Sequence, residues 1–162
     1  MHEEIGSLNP LMLDEENRLV VYGIRSYISI THQLLSLLPF FTRSYIRIKQ
    51  HVQLKNIKNG KNFRASTVTG FALMLRHEVF NKVNGFDENI YLYEEDVDIG
   101  LMLCKGGYLT LVFINAQVIH YGARASKQMP SDELIKMQTY ALKTILKKQF
   151  HYSWWIRLLK YF

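Results

Sequence analysis

Val83-Asn84-Gly85-Phe86-Asp87-Glu88-Asn89-Ile90-Tyr91-Leu92-Tyr93-Glu94-Glu95-Asp96-Val97-Asp98 is the stretch on which the fold turns. A tight Gly-Phe-Asp-Glu turn at 85–88 leads through an aromatic segment into four carboxylates within five positions, Glu94, Glu95, Asp96 and Asp98. Like charges this close cost free energy unless a cation, a helix N-terminus or a proton-transfer task offsets them. The pattern predicts a helix over 94–105: the acids lie in its first turn, Lys105 in its last, and Gly106-Gly107 stops it. Asp96-Val97-Asp98 is an Asp-x-Asp string, but on a helix its two carboxylates point about 200° apart, because each residue turns about 100°. They could not both face one metal ion.

Working outward, Val68 to Leu75 reads as a buried strand and Glu78 to Val83 as a short helix ending at Gly85. Leu19-Val20-Val21-Tyr22 reads as a strand, and Ile5 to Leu13, broken by Pro10, as another. Ile28 to Phe41 is apolar but interrupted by Ser29, Thr31, His32, Gln33 and Ser36. It is too short and too polar to span a bilayer, and reads as a helix or loop on the domain. Residues 55–64, with Asn59-Gly60, read as an exposed basic turn. Tyr108 to Phe113 and Gln117 to His120 suit strands. Pro130-Ser131-Asp132-Glu133 opens a long helix capped by Ser131 or Asp132. On it Lys136, Lys143 and Lys147 share one face, and Ile135, Leu142, Ile145 and Leu146 the other.

At 162 residues and 48% hydrophobic, the chain is long enough for one domain with a sizeable core and too apolar to be disordered throughout. Its single cysteine, Cys104, excludes an intramolecular disulfide framework and a multi-cysteine zinc site, and fits a reducing compartment. His2, Glu3 and Glu4 are the wrong residues to open a secretory signal. Net charge is +6 and unevenly placed. No acid stands between Glu16 and Glu78, where ten basic residues fall, and none follows Glu133. Basic regions of this kind suit phosphate-bearing partners: a nucleotide diphosphate, a lipid pyrophosphate, an anionic membrane or a nucleic acid.

Gly70-Phe71-Ala72-Leu73-Met74-Leu75-Arg76, Val79-Phe80, Val83-Asn84-Gly85-Phe86-Asp87-Glu88 and Tyr93-Glu94-Glu95-Asp96-Val97-Asp98 occur in an order that resembles the C-terminal half of a family 2 glycosyltransferase with a GT-A fold. Rhamnosyltransferase-like members that build bacterial surface polysaccharides are nearest in style. Gly106-Gly107-Tyr108, His120-Tyr121-Gly122 and Ser126 continue the pattern, which covers roughly residues 5 to 126. The resemblance implies an α/β fold: a partial GT-A domain, a mixed sheet with flanking helices, over 1–128. Residues 129–162 follow as a basic amphipathic helical tail.

It also implies roles. Inverting glycosyl transfer needs a base for the acceptor hydroxyl, and the Asp of the family's Glu-Asp pair maps onto Asp96. The bland reading is that residues 94–98 only complement a helix dipole. Glu95 is a candidate acceptor contact, while Asp98 fixes the helix. Gly70 would let a substrate approach the backbone closely, or simply mark a bulge. His120 occupies the place of a histidine that helps bind the divalent cation (Mn or Mg) or the diphosphate, though a lone histidine also serves structure. Arg124 and Lys127 could meet the leaving diphosphate or stay solvated. Three positions depart from the family pattern: Met102 replaces an arginine, Asn84 a glycine and Ile114 a proline.

The expected substrates are a nucleotide-diphosphate sugar and a saccharide or lipid-linked acceptor. The family's nucleotide-binding half and its metal motif would precede Ile5, so the chain reads as a fragment: a truncated or split reading frame, or one half of a two-part enzyme partnered by a separate N-terminal half chain. The location implied is cytoplasmic, peripheral to the inner face of the membrane. The acid-free segment 150–162 would be the anchor there, with Trp155, Leu158, Leu159 and Phe162 on one helical face. Two readings compete: a catalytically inactive remnant or partner-binding half, and a nucleic-acid-binding module. The second finds no recognisable signature and is opposed by the acidic cluster.

Overall fold

In the computed structural model, residues 3–20, 39–65, 70–121 and 130–150 are described. The elements are β1 (Ile5–Leu13), α1 (Pro39–Lys58), β2 (Phe63–Ala65), β3 (Met74–Leu75), α2 (His77–Lys82), α3 (Glu95–Lys105), β4 (Leu109–Ile119) and α4 (Ser131–Phe150). The protein is α/β, and its described residues form a four-stranded mixed sheet in the order β2-β4-β1-β3 with helices around it.

The centre of the sheet is the parallel pair β1 and β4, in register from Ile5↔Leu109 to Leu13↔Ile119. β2 and β3 add antiparallel edges through Phe63↔Val112 and Ser7↔Leu75. Pro10 sits inside β1, at the point where the register jumps from Pro10↔Phe113 to Leu11↔Gln117. A residue without an N–H is tolerated at such a bulge, so the strand continues through the proline rather than breaking at it. The same irregularity merges the two strands expected at 108–113 and 117–120 into the single β4. Gly6 is required sterically: a Cβ there would lie 2.9 Å from Tyr108 Cβ and 3.0 Å from Leu103 Cδ2.

Several expectations need correcting. Of the described residues 70–75 only Met74–Leu75 form a strand, and Met74 is exposed rather than buried. Gly70 and Phe71 form a turn instead of opening a strand, and 66–69 lie outside the described residues. Leu19 makes one isolated bridge with Leu13, while Val21 and Tyr22 are outside the described residues. The basic turn at 55–64 shrinks to Asn59-Gly60, because α1 runs up to Lys58 and β2 begins at Phe63. Ser131 and Asp132 lie within α4, which begins at least one residue earlier than expected, and the Pro130 carbonyl accepts the Leu134 N–H.

Three apolar clusters hold the layers. Leu11, Phe63, Val112 and Ile114 pack under α1 through Ile57. Val79, Val83, Ile99 and Leu103 join α2 and α3, with Met102 and Tyr108 against them. Ile90, Val97, Ala141 and Ile145 join α3 to α4. The departures from the family pattern fit these surroundings. Met102 faces an apolar cluster. Ile114 is buried and its N–H donates to Asn62 Oδ1 at 3.0 Å, a bond proline could not make. Asn84 has φ 65°, which asparagine tolerates better than most residues.

The inward stripe of α4 is Ala141, Ile145 and the half-buried Lys148, so Ile145 lies inward as expected from hydropathy while Ile135 and Leu142 do not. Ile135 and Leu142 point to solvent. The helix is turned by about 90° from that expectation, at about 100° per residue. The cause is Lys148, whose ammonium meets two carboxylates inward.

Candidate active site

The acidic cluster enters α3 through two consecutive residues in the left-handed region, Tyr93 at φ 64° and Glu94 at φ 66°. Neither is glycine, so each stores roughly 1–3 kcal/mol that surrounding contacts must offset. The chain gains a sharp change of direction. Glu94 becomes the N-cap residue, its carbonyl takes the first helical bond from Asp98 N–H at 2.9 Å, and Glu95 and Asp96 stand on the first turn.

Asp96 is buried, 8% exposed, and both of its oxygens are engaged. Oδ2 accepts the Gly70 N–H at 2.7 Å and Oδ1 accepts the Val97 N–H at 2.7 Å. The second bond satisfies one of the donors a helix leaves unpaired at its start. The two bonds orient the side chain by the backbone on both of its oxygens. Asp96 also lines a small recess with Ser7, Leu73, Ile99, Gly100, Leu103 and Thr110, and Ser7 Oγ donates to Thr110 Oγ1 there at 2.8 Å.

Glu95 stands beside Asp96 at the Gly70 turn. A Cβ built on Gly70 would lie 3.6 Å from Asp96 Cβ and 3.7 Å from Glu95 Oε1. Glu95 Oε2 is buried with no hydrogen-bond partner. An unsatisfied buried acceptor costs about 1–3 kcal/mol, and a hydroxyl donor entering here would recover it. Asn9 Oδ1 is the other such atom among the described residues, while Asn9 Nδ2 donates to Ala72 O at 2.9 Å and pins the same turn to β1. Sequence reasoning passed over Asn9. The signal was a polar residue at an inward position of an apolar strand.

His120 follows β4, with its N–H on Leu13 O at 2.9 Å and its ring 5.7 Å from that of Phe71, the residue after Gly70. Gly70, Glu95 and Asp96 therefore meet at one place, with His120 one residue removed through Phe71. Arg124 and Lys127 lie outside the described residues, as does the tail from 151. Among the described residues no three His, Cys, Asp or Glu side chains come together as a metal-holding group.

Asp98 belongs to a different structure. It is 1% exposed and accepts Lys148 Nζ at 2.7 Å, while Asp87 Oδ2 takes the same ammonium at 3.1 Å. Asp87 Oδ1 also accepts both the Asn89 side-chain amide, at 2.8 Å, and the Asn89 N–H, at 3.0 Å. The Asn89 side chain, against opposing burial and with further help from Lys148, holds the Asp87 carboxyl below the usual carboxylate range. Burial alone would pull the Lys148 ammonium down. The bonds and attraction from Asp98 and Asp87 outweigh it, so its pKa is raised. This second residue missed in the sequence was signalled by a lysine seven positions after Ala141, on the same helical stripe.

Two curated proteins from strains of Mycobacterium tuberculosis, each described as an N-acetylglucosaminyl-diphospho-decaprenol L-rhamnosyltransferase, are 34% identical to this chain over 90 residues. The match takes in 54% of this chain and 28% of each relative, so the chain spans well under half the length of the proteins it matches. No protein-family profile matches it, and no solved structure does. The chain is glycosyltransferase-like, a partial and distant homologue of an L-rhamnosyltransferase.

Proposed function

We propose that this chain is the acceptor-side, base-bearing part of an inverting glycosyltransferase with a GT-A fold. It would act in surface polysaccharide synthesis, with the nucleotide-binding part supplied by further polypeptide. The observation that carries the reading is the pairing at the Gly70 turn. A backbone-oriented Asp96 carboxylate stands beside a Glu95 oxygen that lacks a donor. One hydroxyl of a sugar acceptor supplies that donor, and Asp96 receives the proton of a second, the nucleophile, as its oxygen attacks the anomeric carbon and the nucleoside diphosphate leaves. The substrates in this reading are a nucleotide-diphosphate sugar and a saccharide or lipid-linked acceptor. The relatives' description, which includes a diphospho-decaprenol, favours the lipid-linked one. The divalent cation expected of the complete enzyme would draw its carboxylates from the part outside this chain, with His120 as an added ligand. Arg124 would meet the diphosphate.

One observation favours a second reading. Asp96 already accepts two N–H groups, so it could serve only to cap α3 and fix the turn in a non-catalytic binding half. A panel of nucleotide sugars separates the two, assayed with a lipid-linked acceptor, with this chain alone and with an upstream donor-half chain. Turnover is expected only in the mixture, and calorimetry with manganese and donor should show weak or no binding to this chain alone. Micromolar, metal-dependent donor binding by the chain alone would overturn the half-enzyme reading. Silence of every donor in the mixture would favour the binding half.

A further inference from the structure

Asn9 is 1% exposed on β1 and lies opposite the fully buried Val112 of β4. Apolar β-branched residues suit such a position, and asparagine is depleted there. Its amide is also only half satisfied: Nδ2 donates to Ala72 O at 2.9 Å, while Oδ1 has no partner. A buried amide with an orphaned acceptor weakens a fold relative to an apolar side chain in its place. Stability therefore does not account for an asparagine here. What the residue does reach is the turn at 70–72. Ser7 and Asn9 stand two apart on a regular stretch of strand, so both side chains leave the same face of the sheet. On that face Ser7 lines the recess beside Asp96. The turn is held at both ends, Ala72 O by Asn9 and the Gly70 N–H by Asp96 Oδ2 at 2.7 Å.

We propose that Asn9 is a positioning residue for the candidate base: it sets the turn at 70–72 against β1, and the turn sets the Asp96 carboxylate through the Gly70 N–H. The inference rests on the reading of Asp96 as the base; the linkage from Asn9 to Asp96 does not. The two bonds span 63 and 26 residues of sequence, so they join a strand, a turn and a helix into one frame. The outer members of that frame are rigid. β1 is paired on both sides, with β4 and β3, and α3 is anchored by the buried Val97 and Ile99. The turn between them takes its place from two single hydrogen bonds. Misplacing a reacting group by about 1 Å costs on the order of 10²-fold in rate. Losing the Asn9 bond would therefore be felt in turnover far more than in the fold.

The test begins with the full chain, followed by nuclear magnetic resonance and amide hydrogen exchange. Asn9→Val removes the donor and suits a buried strand. Asn9→Ala removes it without filling the space, should valine crowd the sheet. In either variant the Gly70 N–H should exchange about 2- to 10-fold faster, the contribution of one hydrogen bond, and lose the downfield proton shift that a close carboxylate gives. Amides of β1 and β4 should keep their protection, and the thermal midpoint of Asn9→Val should not fall. In a mixture with the donor half that turns over a nucleotide sugar, Asn9→Val should lower kcat by roughly 10- to 100-fold, with the donor KM within about twofold of wild type. A purely structural asparagine predicts the opposite: a lower midpoint, faster exchange throughout the sheet, and kcat unchanged for the folded fraction. That pattern would overturn the proposal, and so would a Gly70 amide unchanged in both variants. A mixture that stays silent with the wild-type chain would count against the transferase reading alone, because the Gly70 amide still decides the linkage from Asn9 to Asp96.

Discussion

Asp96 and Asp98 stand two positions apart on the first turns of α3, are both buried, and are held by different kinds of donor. Asp96 is held by neutral backbone N–H groups, from Gly70 across the chain and from Val97 beside it. Asp98 is held by a full positive charge, Lys148, shared with Asp87. The backbone N–H groups fix the Asp96 carboxylate at the Gly70 turn, whereas the ammonium on Asp98 ties two helices together. Helix geometry enforces the division: residues two apart face opposite ways, so one turn of α3 serves the candidate site and the α4 interface together.

The sharpest way to break this comparison is to remove each charge in turn within the complete enzyme. Asp96→Asn should lower kcat by roughly 10²- to 10⁴-fold, at a stability cost of about 1–3 kcal/mol because its amide nitrogen faces one of the two N–H groups the carboxylate accepts. Asp98→Asn should cost stability with little change in kcat for the folded fraction. Near-normal turnover by Asp96→Asn would remove the base from the proposal.

Next in size is the ammonium itself. Lys148→Met leaves Asp98 buried without its cation. It should cost about 3 kcal/mol in urea unfolding, the low end for breaking a buried pair because the Lys148 side chain is 30% exposed. That cost should depend on pH. Asp87 has a lowered pKa, so its contribution is present above the ordinary carboxylate pKa of about 3.9 and is lost as pH falls through its folded value. Lys148 has a raised pKa, so its contribution is present below about 10.4 and is lost as pH rises through its folded value. The gap between wild type and Lys148→Met should therefore be widest between about pH 5 and 9 and narrow in acid below about pH 4. A gap that stays constant down to pH 3 would mean the carboxylates do not stabilise the fold through this lysine.

The smallest expected effect lies in the turn that presents Asp87. Asn84, at φ 65°, precedes Gly85 at φ 67°. Asn84→Gly should gain about 0.5 kcal/mol, the relief of left-handed strain slightly exceeding the entropy glycine brings to the unfolded chain. Asn84→Val should lose about 1–2 kcal/mol, since a β-branched side chain suits that region poorly. Equal stabilities for the two would show that the turn adapts and that its geometry is not fixed by residue 84.

The elements best read from the sequence are those with local punctuation. The first turn of α3 carries its acids, its last turn carries Lys105, and Gly107 takes φ 78° just past its end. Gly85 ends α2 with its N–H on Phe80 O, as the short-helix reading required. What escaped depends on partners far along the chain. The burial of α4 cannot be read from its own hydropathy, because Asp98 and Asp87, at separations of 50 and 61 residues, draw Lys148 inward and turn Ile135 and Leu142 out. Asn9 escaped for a similar reason: its amide acts on Ala72, 63 residues on. The strand expected at 68–75 failed over Gly70 and Phe71 because the Gly70 N–H is spent on Asp96 rather than on a neighbouring strand. In the site, Gly70, Glu95 and Asp96 were named from motif order, but only three-dimensional contact shows that a single turn joins them.

The parallel pairing of β1 with β4 has a consequence for how the chain reaches its fold. Ser7 meets Thr110 across 103 residues of sequence, and the sheet has no centre until that contact closes. During synthesis at about 5–20 residues per second, β1 waits roughly 5–20 s for its partner. Contacts of such separation form late, after a large loop-closure cost. Through that interval the apolar strand Leu11-Met12-Leu13 has unpaired edges, which makes the nascent chain a target for chaperones and for mispairing with its neighbours.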